Sequence, residues 1–165
     1  MNKSNVALLI AAATVLTPLG ANAGNAEDAS IRALEARFAA AVEARDIDAI
    51  MKVYSSDVFV FDVIPPRQYV GAVAYRDDWK NFLSSYSGPI RFEITDLAVS
   101  SQGSVGYGHS IQHVSGTDPQ GKPSELTVRV TDVYRKQGGS WKIVQEHVSV
   151  PVNISTGKAD LTSKP

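Results

Sequence analysis

Apolar residues between positions 28 and 45 recur at helical spacing. Ile31, Leu34, Phe38, Ala41 and Val42 form one stripe, with Arg32, Glu35, Glu43 and Arg45 among the intervening positions. The pattern predicts an amphipathic helix of about four or five turns. Asp46 then stands as the N-cap of a short second helix carrying Ile47, Ile50, Val53 and Tyr54, which stops at Ser55-Ser56-Asp57. Val58 to Val63 is β-branched and aromatic and is closed by Pro65-Pro66, so it reads as a short strand followed by a loop. After Gly71, the residues Tyr75, Trp79, Phe82, Leu83 and Tyr86 follow the 3.6 period of a third helix, ended by Gly88-Pro89.

From Ile90 the period switches to two. Four strands are predicted near 90–100, 104–115, 124–136 and 140–150, with turns at Gln102-Gly103, Gly116 to Pro123 and Gly138-Gly139. They make an antiparallel meander, after which Asn153 to Pro165 is polar, aperiodic and expected to lie loosely on the surface. No internal repeat or domain-separating linker interrupts the chain. Three helices followed by a curved sheet give an α+β class, in which the sheet wraps the long first helix and leaves one pocket at its open end.

The first residues change the picture of where this domain works. Lys3, the apolar and small-residue run Val6 to Leu16, and Ala21-Asn22-Ala23 together read as a signal peptide cut after Ala23. Pro18 and Gly20 break the run too early for a membrane span. The expected product is an exported, periplasmic or secreted chain of 142 of the 165 residues, one domain over 24–152 with the tail 153–165. It has no cysteine, which excludes disulfides, a lipid-anchored cysteine and thiol nucleophiles. The net charge of −1 becomes one unit more negative once Lys3 is lost, so neither nucleic acid nor an anionic membrane is an expected partner. A small molecule or a second copy of the chain is.

Two aspartates stand where strands disfavour them: Asp62 in Phe59-Val60-Phe61-Asp62-Val63, and Asp132 in Val128-Arg129-Val130-Thr131-Asp132-Val133-Tyr134. Alternation along a strand puts Asp132 on a face with Val128, Val130 and Tyr134, taken as the inward face. The same parity groups His109 with Val105, Tyr107 and Ile111, and His147 with Ile143, Gln145 and Ser149, so both histidines are expected to face the cavity. A carboxyl group among apolar side chains has its pKa raised toward the range useful for proton transfer, and a histidine can relay the proton. The competing readings are a solvated strand-end Asp62, a structurally satisfied Asp132 and two core histidines. His109 and His113 would lie about 13 Å apart on a strand and cannot share an ion. A metal site built from His109, His147 and one aspartate has no chelating motif behind it, and no phosphate loop or nucleophile elbow occurs. Neither metal nor cofactor is therefore expected. Gly106-Tyr107-Gly108 reads as a bend in its strand.

Taken together, Arg37-Phe38 through Arg45-Asp46-Ile47-Asp48, Asp57-Val58, Pro65-Pro66 with Tyr69-Val70-Gly71, Tyr75-Arg76 with Trp79, Arg129 to Lys136 and Trp141 to Pro151 resemble the SnoaL-like branch of the nuclear-transport-factor-2-like superfamily. That superfamily also contains ketosteroid isomerase and the kinase association domain. The resemblance covers about residues 28–152, and the run Trp-Lys-Ile-Val-Gln-Glu-His-Val-Ser-Val-Pro at 141–151 is its most specific part. It implies a cone-shaped α+β barrel with a deep pocket, commonly dimeric. It also implies that Asp62 falls where ketosteroid isomerase keeps its proton-shuttling base and Asp132 where that enzyme keeps its neutral oxyanion-hole acid. The oxyanion-hole tyrosine of that enzyme falls at Phe38, which has no hydroxyl, so steroid isomerisation itself is not expected. His109, His147, Tyr54 or Tyr107 would have to supply another donor.

The residues leave three readings open. The first is an acid/base isomerase, cyclase or dehydratase acting on a small, largely apolar, carbonyl-bearing ligand, with Asp62, Asp132, His109 and His147 as its catalytic set. In this reading Phe38, Tyr54, Trp79, Tyr107, Tyr134 and Gln145 contact the ligand. The second is a non-catalytic carrier, and the third an association module working through its sheet.

Overall fold

The computed structural model describes residues 20–163, with side chains from residue 26 onward. The signal peptide expected over residues 1–23 lies almost wholly outside the described residues. The first helix, α1 (Gly20–Glu43), buries Ile31, Leu34, Phe38, Ala41 and Val42 as its stripe requires. It ends earlier than the predicted 45 because Arg45 turns left-handed, at φ 56°. That turn carries the guanidinium to the backbone oxygens of Leu83 at 2.6 Å, Tyr86 at 3.0 Å and Gly88 at 2.8 Å. A cation is thereby placed on carbonyls at the end of the third helix, which favour positive charge.

The second helix, α2 (Ile47–Met51), starts as predicted, with the Asp46 carboxylate accepting from the backbone N–H groups of Asp48 and Ala49. Val53 and Tyr54, assigned to that helix from sequence, instead lead into a strand. This strand, β1 (Tyr54–Phe61), is four residues longer at its start than its β-branched core suggested. A two-residue strand, β2 (Tyr69–Val70), precedes the third helix, α3 (Ala72–Ser84). Four long strands follow: β3 (Ser87–Gln102), β4 (Val105–Thr117), β5 (Pro123–Gln137) and β6 (Ser140–Ser149).

The meander is antiparallel throughout, and β1 joins its far edge parallel to β6, giving the sheet order β2-β1-β6-β5-β4-β3. The sheet is mixed, and it curves without closing. The β5–β6 hairpin turns on Gly138 and Gly139, both at positive φ (55° and 83°), as a tight two-residue turn demands. The tail is more ordered than expected. Its strands β7 (Val152–Asn153) and β8 (Lys158–Ala159) pair with each other, and the backbone N–H of Thr127 donates to the Leu161 carbonyl at 2.7 Å.

The inner sheet face packs on α1, and two glycines make this approach close. A Cβ on Gly106 would meet Ile31 Cδ1 at 2.8 Å, and one on Gly108 would meet the Ala98 carbonyl at 3.0 Å and Tyr134 Oη at 3.1 Å. Gly106 and Gly108 therefore make room for a helix and a ring, where the sequence suggested a bend.

Candidate functional site

Between α3 and the inner sheet face lies a cavity of about 90 Å³. Tyr75, Asp78, Trp79 and Phe82 of α3 form one wall, and Phe92, Gln112, Val114, Val128, Glu146 and Val148 of the sheet form the other. Asp62, Val63 and Ile64, just after β1, close the rim. Asp62 is in phase with the buried Val58 and Val60, so strand alternation turns it inward.

The walls are apolar apart from Gln112 and one acidic edge. Burial pushes Asp62 up to about 6, with the neighbouring Asp78 carboxyl adding to the effect. Asp78 is itself buried and accepts a hydrogen bond from the Tyr69 hydroxyl at 2.7 Å. Deeper in, burial pushes Glu146 up to about 7. Its carboxyl accepts from the Tyr54 hydroxyl at 3.0 Å and from the Tyr75 hydroxyl on its other oxygen.

Behind Glu146 the acids continue into the core. Asp132 is its direct partner across β5 and β6, and burial, followed by the charges of Glu146 and Glu35, drives Asp132 well above the usual carboxylate range. Asp132 Oδ1 has no donor among the described residues, which fits a neutral acid. Tyr134 donates to Glu35 at 2.8 Å and lies 3.4 Å from Asp132, and burial raises Glu35 to about 7. Three carboxyl groups are thus stacked in the interior with no basic partner among the described residues, held by three tyrosine hydroxyls. Such a stack keeps protons at neutral pH and can yield or accept one at the cavity wall through Glu146.

The SnoaL-like domain matches residues 31–153. The chain belongs to the SnoaL-like domain family. A nuclear-transport-factor-2-like protein of unknown function from Pseudomonas putida KT2440 is 33% identical over 86% of this chain and 98% of its own, with a TM-score of 0.77. A putative dehydratase of the same fold from Streptomyces avermitilis is 17% identical over 76% of this chain and 97% of its own, TM-score 0.67. A ketosteroid isomerase-like protein from Erwinia carotovora atroseptica is 20% identical over 76% and 96%, TM-score 0.65. The last two share the fold. No curated protein matches the chain.

Against the expectations for a SnoaL-like pocket, Asp62 and Trp79 line the cavity, and the other sequence candidates lie elsewhere. Phe38 is in the core, its ring edge-to-face with Tyr54, Trp79 and Phe92. Tyr54, Asp132 and Tyr134 are buried behind the cavity wall and act on it through Glu146. His109 and Tyr107 face outward, correcting their inward assignment. The inner face of β4 is Gly106, Gly108, Ser110, Gln112 and Val114, while the apolar Val105 and Tyr107, 51% and 57% exposed, lie outside. Apolarity therefore pointed to the wrong face of this strand.

His147 and Gln145 are corrected for a different reason. Tyr134 pairs with Ile143 while Val133 pairs with Gln145, so Val144 is a β-bulge. The extra residue reverses the alternation beyond it, turning Glu146 inward and His147 outward against Phe61.

Sequence reasoning missed Glu146, Glu35 and Asp78. A signal existed for two of them. Glu35 is four residues from Ile31 and Asp78 three from Tyr75, each on the buried stripe of its helix, whereas the bulge that turns Glu146 inward leaves no mark in the period.

Proposed function

We propose that the cavity binds a compact, largely apolar molecule and transfers a proton on it, as an isomerase, cyclase or dehydratase does. The observation that carries this reading is the pairing of an apolar wall with two carboxyl groups, Asp62 at about 6 and Glu146 at about 7, whose proton affinities are raised toward neutrality. Asp62, ionised, takes the proton from carbon next to a carbonyl. Glu146, neutral, donates to the carbonyl oxygen as charge develops there, a role that the family resemblance had implied for Asp132. Asp132 stands behind it and holds its proton.

Deuterium wash-in next to the carbonyl of small cyclic ketones, followed by NMR, tests the reading. The protein should accelerate exchange, and Asp62→Asn should lower the rate at least 100-fold with ligand affinity retained. Absence of acceleration, or an unchanged rate in the variant, would remove proton transfer. Retention of an unaltered ligand would then favour a carrier, a reading supported by the commitment of the Tyr54, Tyr69 and Tyr75 hydroxyls to fixed carboxyl partners.

The same proposal takes the protein as exported, on the leader pattern of residues 1–23. It also takes two copies as pairing through the outward sheet face, where Phe61, Val105 and Tyr107 are exposed. Tyr107→Glu should then halve the mass seen by sedimentation, and an unchanged mass would reject that face.

A further inference from the structure

The charge of the cavity lining separates classes of ligand. Every titratable side chain on it is an acid or a tyrosine: Asp62, Asp78, Glu146 and Tyr75, with no lysine, arginine or histidine among the lining residues. The hydroxyl donors nearby are already committed, Tyr75 and Tyr54 to Glu146 and Tyr69 to Asp78. An anionic ligand would meet these acids with no cation to offset them, and its desolvation would go uncompensated.

A protonated amine meets the opposite environment. Asp62 and Asp78 lie together at the rim, each able to accept from an ammonium, and the rings of Tyr75, Trp79, Phe82 and Phe92 form the adjoining wall. Trp79 and Phe82 stand edge-to-face at 5.4 Å and both line the cavity, and an aromatic ring face attracts a cation. Trp79 is 92% buried and contributes its ring to this wall.

We infer that the cavity selects its ligand by charge, taking a compact apolar molecule that carries a protonated amine and rejecting carboxylates of the same shape. The inference rests on the cavity being the ligand site. It adds to the proton transfer the means of holding the far end of the ligand, with the ammonium against Asp78 and the apolar body on the aromatic wall.

Three molecules of one shape test it: cyclohexylamine, cyclohexanol and cyclohexanecarboxylate, titrated into the full-length protein at pH 8 by calorimetry. The amine should bind at least ten-fold more tightly than the alcohol, and the carboxylate at least ten-fold more weakly. Asp78→Asn should reduce the preference for amine over alcohol at least five-fold, and Asp78→Ser serves the same purpose if the first variant does not fold. An alcohol that binds as well as the amine, or a carboxylate that binds best, overturns the charge selection and leaves the cavity as a ligand site. Failure of all three to bind at millimolar concentration overturns both.

Discussion

Replacing Glu146 by Gln tests whether an acid is held neutral inside this fold. The ordinary glutamate value is 4.5, and burial raises Glu146 to about 7 in the folded chain. Below pH 4.5 the group is protonated in both states, and its titration makes no difference to stability. Between 4.5 and 7 the unfolded chain ionises while the folded chain keeps its proton, so stability falls as pH rises; above 7 the loss is complete. At ~1.4 kcal/mol per tenfold change in proton affinity, the loss is about 3 kcal/mol. Gln has nearly the same shape, can still accept from one tyrosine hydroxyl and does not titrate. Glu146→Gln should therefore match the wild type near pH 4 and exceed it by about 3 kcal/mol at pH 8. Urea unfolding followed by circular dichroism at several pH values would read the difference, which corresponds to roughly 6–12 °C in Tm for a chain of this length. A stability difference that stays constant from pH 4 to pH 8, or that turns against the variant as pH rises, refutes the neutral-acid account.

Other consequences follow from single contacts. Gly108→Ala would press a methyl group onto the Ala98 carbonyl and the Tyr134 hydroxyl, and should lower stability by about 1–3 kcal/mol in the same urea assay. Asp46→Ala removes the acceptor for two backbone N–H groups of α2 and should cost about 1 kcal/mol, with an unchanged dependence on urea concentration. His109→Ala and His147→Ala should leave ligand affinity in the cavity within two-fold of wild type, because both side chains face outward. A tenfold loss in either would place that histidine in the binding site after all.

The sequence by itself determined the α+β order of elements. The α1 stripe, the Asp46 cap, the period change near Ile90 and the glycine-rich hairpin at 138–139 are local, and local geometry enforces them. It also led to two residues of the cavity. An aspartate inside a β-branched run, and a tryptophan on the buried stripe of α3, were both visible in the pattern. Tertiary structure decided the remainder, because a period of two says which residues share a face but not which face turns inward. On β4 that choice was made by Ile31 and Tyr134, which need the space above Gly106 and Gly108 and so leave Tyr107 and His109 on the outside. On β6 it was made by one unpaired residue, Val144, which puts Glu146 opposite Asp132 and turns His147 away. The acid stack exists only because the sheet curls over α1 and brings Glu35, Asp132 and Glu146 together across about 110 residues of chain, a separation that no short-range pattern can register.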